Sequence, residues 1–171
     1  MHVNSPTVIK TSLNRETSIK PQFRPGAELD SFPFRTTEKL RFADTDRNGH
    51  ISNAVFAVCC QNARMEILHD RNRIPLAVDA QFVIARLELE FRGEMHWPGT
   101  VEIGTRFDSI GRSSLVMAQS LFLKDRCVAN ATSTIVLMDR STRKATAFPP
   151  EMALALRGLA GSPGRGREEE C

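Results

Sequence analysis

Several things are scarce in this chain of 171 residues, and each scarcity closes off a class of protein. No stretch comes near the roughly 18 consecutive apolar residues of a membrane-spanning helix, because Lys, Arg, Asp or Glu interrupts every hydrophobic segment. Residues 1–20 lack the apolar centre of a secretory signal, and Glu16, Glu28 and Asp30 argue against an organelle transit peptide. The expectation is a soluble, cytoplasmic protein with no membrane partner. There are only four cysteines, Cys59, Cys60, Cys127 and Cys171, with no CxxC pair and no spacing suited to zinc or to a disulfide framework, so they read as thiols in a reducing compartment. Charge of one sign is also lacking. The net value of +3 is spread along the chain, too weak and too even for a nucleic-acid footprint, although anionic small ligands stay open. Tyrosine is absent and arginine far outnumbers lysine, a compositional bias from which no function follows. With 41% apolar and 25% charged residues the chain has the composition of one globular domain, which excludes collagen, coiled coil and disorder throughout.

Residues 1–33 hold Pro6, Pro21, Pro25 and Pro33 with little apolar periodicity, and residues 159–171 have little to bury, so both ends are expected to be loosely ordered around a domain spanning 34–158. Within it, Val55, Phe56, Cys59, Cys60, Ala63 and Ile67 recur at helical spacing from Asn53 to His69, with Gln61, Asn62, Arg64 and Glu66 as the polar minority. From Arg86 the period changes to two, with Leu87, Leu89 and Phe91 in one run and Val101, Ile103 and Phe107 in the next. Strands over 114–123 and 127–138 follow, split by a turn at Lys124-Asp125-Arg126. With a first strand at 38–43, the order is strand, long helix, then about four strands joined as an antiparallel meander. The helix is apolar around much of its girth, and a twisted sheet wrapped around it buries that surface best. The fold class expected is α+β: a long central helix inside a curved antiparallel sheet of about five strands. Such a sheet leaves open edges, so pairing with another copy is expected.

The densest run of chemically capable residues is 41–53, RFADTDRNGHISN, where the first strand hands over to the helix. Three readings compete. Asp44, Asp46, Asn48, Gly49 and Ile51 match the start of a calcium loop, but its twelfth place is Val55, which has no oxygen to offer. Asp and Asn also shape turns and cap helices without doing chemistry. The catalytic reading rests on the delivery of a carboxylate and a helix N-terminus to one spot. A thioester carbonyl docked there meets backbone N–H groups at the positive end of the helix dipole, and an Asp beside it either attacks or activates water, with Gly49 allowing close approach.

The segment D-x-D-x-x-G-H-[IV]-x-N, present as Asp44, Asp46, Gly49, His50, Ile51 and Asn53, together with the Ala63-Arg64 pair, resembles the hotdog-fold thioesterases of the 4-hydroxybenzoyl-CoA thioesterase type. Plant-type acyl-carrier-protein thioesterases are more distant relatives. The resemblance covers roughly 36–149 and is supported by Pro98-Gly99, by the turn Ile110-Gly111-Arg112-Ser113-Ser114, and by Met138-Asp139. It implies that Asp46 is the catalytic carboxylate and that the backbone N–H of Asn53 polarises the carbonyl. Its acyl-carrier branch adds Asn48 and His50. Gly49, Ile51, Phe56, Gln61, Arg112 and Ser113 are then substrate-binding candidates. Relatives often carry a helix Glu where this chain has Gln61 and Asn62; an amide can orient water but cannot deprotonate it, leaving Asp46 as the base.

The bland readings are that His50 is a satisfied core residue, that Cys59 and Cys60 are packing, and that Arg73, Arg112 and Arg126 are solvated rather than bound to coenzyme A phosphates. Together these residues point to an acyl-CoA thioesterase, a homodimer or homotetramer, needing no metal or redox cofactor, with coenzyme A entering only as part of the substrate. The alternatives are an acyl-carrier-protein thioesterase, a non-catalytic acyl-CoA or acyl-carrier binding subunit, and a hotdog hydratase or dehydratase, whose D-x-N-P-x-H spacing differs from the Asp46 to His50 interval.

Overall fold

The computed structural model describes residues 28–161, and the expectations for residues 1–27 and 162–171 lie outside the described residues. Five strands, β1 (Phe34–Lys39), β2 (Ala80–Phe91), β3 (Thr100–Ile110), β4 (Ser114–Leu123) and β5 (Arg126–Asp139), form one antiparallel sheet in the order β1-β3-β4-β5-β2. Helix α1 (Asn53–Leu68) lies against β1, β3 and β4, and a second helix, α2 (Pro150–Ala160), packs on β3. This is the hotdog arrangement expected, with the long helix starting where the spacing of Val55, Phe56 and Cys59 placed it. Among the described residues no helix is long and apolar enough to cross a membrane.

The β3-β4-β5 meander follows from its turns. Lys124 and Asp125 both take positive φ, 49° and 63°, the geometry of a two-residue hairpin whose twist matches that of the strands it joins. Two expectations are corrected. β2 is not the next rung of the meander; it pairs with β5, from Ala80 opposite Asp139 to Phe91 opposite Ala129, and becomes an edge. The first strand does not run over 38–43 either. It occupies Phe34–Lys39, because Asp44 turns its carboxylate back onto the Arg41 backbone N–H (2.8 Å) and winds Phe42–Asp44 into a 3-10 turn. Helix α2 was unanticipated, although Pro150 at its first position, Glu151 in its first turn and the buried pair Met152 and Leu156 are its signature.

α1 buries Phe56, Cys59, Cys60, Ala63, Ile67 and Leu68. It also buries Arg64, one of the residues assigned by sequence to the polar minority. The Arg64 Nη1 donates to Gln119 Oε1 (2.9 Å) and Ser133 Oγ (3.0 Å), while Gln119 Nε2 donates to the Cys60 carbonyl (3.0 Å) and Thr105 Oγ1 (3.1 Å). Burying a guanidinium is costly unless its donors are satisfied. Here the sheet supplies the acceptors, and among the described residues no buried side-chain nitrogen or oxygen lacks a partner. This polar knot separates two apolar clusters, one around Phe56, Cys60 and Leu121, the other around Leu68, Leu115 and Met152. The first cluster supports the N-terminal end of α1 and hence the segment that carries the chemistry.

Candidate active site

Residues 44–52 form a tight hairpin that delivers the chain into α1. Thr45 and Ile51 bridge, the Asp46 N–H donates to the His50 carbonyl (2.7 Å), and the Ser52 N–H donates to the Asp44 carbonyl (2.9 Å). Gly49 makes the reversal with φ of +81°; an added Cβ would meet nothing within 4 Å, so the glycine serves the backbone angle rather than close approach. Beneath, Asp44 is 7% exposed and receives Arg41 Nη2 (2.6 Å) and Nε (3.1 Å) as well as the Arg41 N–H. The side-chain hydrogen bond from Arg41 holds the Asp44 carboxyl below its usual range. Asp44 is therefore a structural anion, and its partner Asp46 is the exposed one.

Asp46 Oδ1 accepts the N–H groups of Asn48 (2.8 Å) and His50 (3.1 Å), which fixes the carboxylate, and Oδ2 has no hydrogen-bond partner among the described residues. Asn48 contributes a backbone donor from an exposed position. His50 likewise contributes its N–H, but its imidazole turns away, with Nε2 3.6 Å from Glu94 Oε2. Ile51 is 3% exposed and sits in the core below. At the start of α1, Ser52 makes no side-chain cap bond, and only Val55 N–H is taken up, by the Ser52 carbonyl (2.9 Å). The N–H groups of Asn53 and Ala54, both exposed, keep no acceptor among the described residues. Open amides of this kind, with the helix dipole behind them, suit a developing negative charge.

Among the described residues, clefts lie on both sides of α1. One of about 320 Å³ lies against β2 and is lined by Gln61, Arg64, Val58, Ile84 and Leu87. The other, about 280 Å³, lies against β1 and is lined by Glu38, Asp44, Cys59 and Asn62, with Asn62 Nδ2 donating to Glu38 Oε1 (2.8 Å). Asp46 lines neither. Phe56 is 2% exposed and meets Phe91 edge to face at 5.1 Å. Arg112 and Ser113 sit in the β3–β4 turn beside the second apolar cluster, where their carbonyls accept from Phe148 (2.8 Å) and Leu137 (2.9 Å). One chain thus gathers Asp46, Asn48, Gly49, His50 and Asn53 at one end of α1 and leaves Arg112 and Ser113 at the other.

Sequence reasoning missed two groups. Glu38 stands in the cleft where the helix has amides in place of a carboxylate. Glu94 and His96 converge on His50 from the loop between β2 and β3, with only the alternation E-x-H around an apolar Met95 as a signal. Burial pushes the Cys59 and Cys60 thiols up to about 11 and about 12, so neither is a nucleophile at neutral pH.

The chain is 25% identical over 120 residues to the acyl-CoA thioester hydrolase YbgC of Escherichia coli, covering 68% of this chain and 90% of that protein. Its fold superposes on a Thermus thermophilus thioesterase complexed with coenzyme A and Zn with a TM-score of 0.67 and 28% identity, covering 78% of this chain and 98% of the other. A predicted thioesterase of Bacillus stearothermophilus gives a TM-score of 0.68 and 26% identity, covering 77% and 98%. Residues 40–156, which hold the 44–52 hairpin, α1, β2–β5 and the first half of α2, match the model of one family: the chain belongs to the thioesterase-like superfamily.

Proposed function

We propose that this chain hydrolyses acyl-CoA thioesters, with Asp46 as base or nucleophile and the Asn53 and Ala54 amides as the site for the carbonyl oxygen. The observation that carries this reading is the pairing, within one hairpin, of a carboxylate anchored through Oδ1 alone with an uncapped helix N-terminus. Oδ2 is left to take a proton from water or to attack, and the amides stabilise the oxyanion that forms as the nucleophile adds to the carbonyl, before that oxyanion collapses and expels the thiolate. Thiolate leaves readily, so carboxylate and amides suffice as the working parts. His50 enters through its backbone donor to Asp46.

A single chain leaves the carboxylate without a wall. β2 is an edge strand that presents Ile84, Leu87 and Phe91 at 50%, 37% and 48% exposure, beside exposed Val58 and Met65 of α1. A second copy laid on this edge covers those side chains and closes the 320 Å³ cleft, in which Gln61 and Leu87 meet the acyl group. Arg112 and Ser113 reach the same substrate only from another copy. The working domain is 34–158, and the compartment is the reducing cytoplasm that keeps Cys59 and Cys60 as thiols.

The test is a panel of short, medium, long and aromatic acyl-CoAs with thiol release followed by a chromogenic trap, and Asp46→Asn run beside the wild type. Asn keeps an oxygen for the Asn48 and His50 donors and removes the charge, so kcat is expected to fall about 10²- to 10⁴-fold with little change in stability. Saturable binding without turnover in either form supports the binding-subunit alternative. Undiminished turnover in Asp46→Asn removes the mechanism, and light scattering that returns a monomer at assay concentration removes the second copy.

A further inference from the structure

The hairpin before α1 is pinned to the loop that joins β2 to β3. The Ile51 N–H donates to the Met95 carbonyl (2.8 Å), and both side chains are buried in the first apolar cluster, Ile51 at 3% and Met95 at 0% exposure. In an extended backbone, neighbours of an inward-facing residue face outward. Glu94 and His96, on either side of Met95, accordingly stand on the surface next to His50. His50 Nε2 lies 3.6 Å from Glu94 Oε2 and His96 Nε2 lies 3.5 Å from the same oxygen, with the two imidazole rings perpendicular (88°) and 4.9 Å apart. The three potential ligand atoms all fall within 4.8 Å of one another.

These separations do not suit hydrogen bonding, which for N–H···O runs at about 2.7–3.2 Å. They do suit a shared cation. A tetrahedral ion with bonds of about 2.0–2.1 Å holds its ligands about 3.4 Å apart, so the two imidazole-to-carboxylate distances already approach the edges of such a tetrahedron. The His50 to His96 edge closes by small side-chain rotations on exposed groups. Two imidazole nitrogens and one carboxylate oxygen select a borderline ion of the zinc class over calcium or magnesium, which take oxygen ligands. Three protein ligands leave a fourth position for water or an anion.

We propose that His50, Glu94 and His96 form a binding site for one zinc-class divalent ion. The site stands apart from the thioesterase reading: no step of hydrolysis passes through it. Its structural effect is to staple the Asp46 hairpin to the β2–β3 loop, two segments otherwise joined there by the Ile51 to Met95 hydrogen bond. Because a metal-bound Nε2 carries no exchangeable proton, the site also excludes His50 as an acid or base while it is occupied.

The experiment uses the full chain, stripped with a chelator and titrated with zinc chloride against a chromophoric competitor. His96→Ala and Glu94→Gln run beside it, each checked for native circular dichroism. One ion per protomer is expected. Loss of even an outer-shell partner weakens metal sites about 10- to 100-fold, so each ligand substitution is expected to weaken binding at least about tenfold. Zinc is expected to raise the melting temperature of the wild type and not of His96→Ala. X-ray absorption on the loaded wild type should show two imidazoles and oxygen at about 2.0–2.1 Å, a result that needs no variant to fold. Absence of stoichiometric binding overturns the proposal, as does an affinity that neither substitution changes, which would put the ion elsewhere on the chain.

Discussion

Asp44→Asn separates the charge that shapes the hairpin from the charge assigned to chemistry. The Asp44 carboxylate is 7% exposed and accepts three donors from Arg41, the N–H at 2.8 Å, Nε at 3.1 Å and Nη2 at 2.6 Å. The Arg41 side chain is 75% exposed, so the Coulombic part of this ion pair is screened by solvent and contributes little. The hydrogen-bond part is larger. Asn offers one acceptor oxygen to the three donors and turns an NH₂ toward a guanidinium that water can still solvate, so the loss is that of a hydrogen bond, about 0.5–1.5 kcal/mol, rather than a full desolvation penalty. The variant is therefore expected to lose about 0.5–1.5 kcal/mol, dominated by the misdirected amide, read as a shift of the urea midpoint at constant slope. The pH dependence has a definite sign. Arg41 holds the folded carboxyl below the unfolded value near 3.8, so the stabilisation is present above that value and is lost as the pH falls through the lower folded one. Once protonated, wild-type Asp44 also has a donor facing Arg41, so the gap between wild type and variant should narrow between about pH 7 and about pH 3. A gap that stays constant over that range would refute the assignment of the stability to the ionised form.

Two further expectations concern the core. Burial pushes Cys59 and Cys60 up to about 11 and about 12, so alkylation of the native protein at neutral pH, mapped by peptide mass spectrometry, should spare both until the chain is unfolded in denaturant. Gly104 on β3 faces Phe32, and an added Cβ would lie 2.5 Å from the Phe32 Cγ of a ring that is 1% exposed and packed edge to face on Phe122. Gly104→Ala is expected to cost about 1–3 kcal/mol through this overlap, and Phe32→Leu should recover part of it in the double variant; strictly additive urea midpoints would show that the ring is not the obstacle.

How far the chain could be read before folding depends on the range of the interactions involved. The hairpin that holds Asp46 is contiguous, so its donors, its left-handed glycine and the helix start that follows all lie within one short stretch, and the residues named there fall together in space. The β4–β5 turn was legible for the same reason, because Lys124 and Asp125 carry the turn in their own backbone angles. What escaped is non-local. The pairing of β2 with β5 joins segments far apart in sequence, with β3 and β4 between them, the burial of Arg64 depends on acceptors from Gln119 and Ser133, and the approach of Glu94 and His96 to His50 depends on Met95 being drawn under Ile51. Local spacing therefore exposes the groups proposed to react and conceals the surfaces proposed to meet the acyl group. In the proposed reading those surfaces include β2, where the alternation of Leu87, Leu89 and Phe91 reads in the sequence as an ordinary half-buried strand, while Ile84, Leu87 and Phe91 stand exposed on the folded edge. Changes of acyl preference should accordingly map to β2 and the facing side of α1, while changes at the hairpin should alter turnover for every acyl group alike.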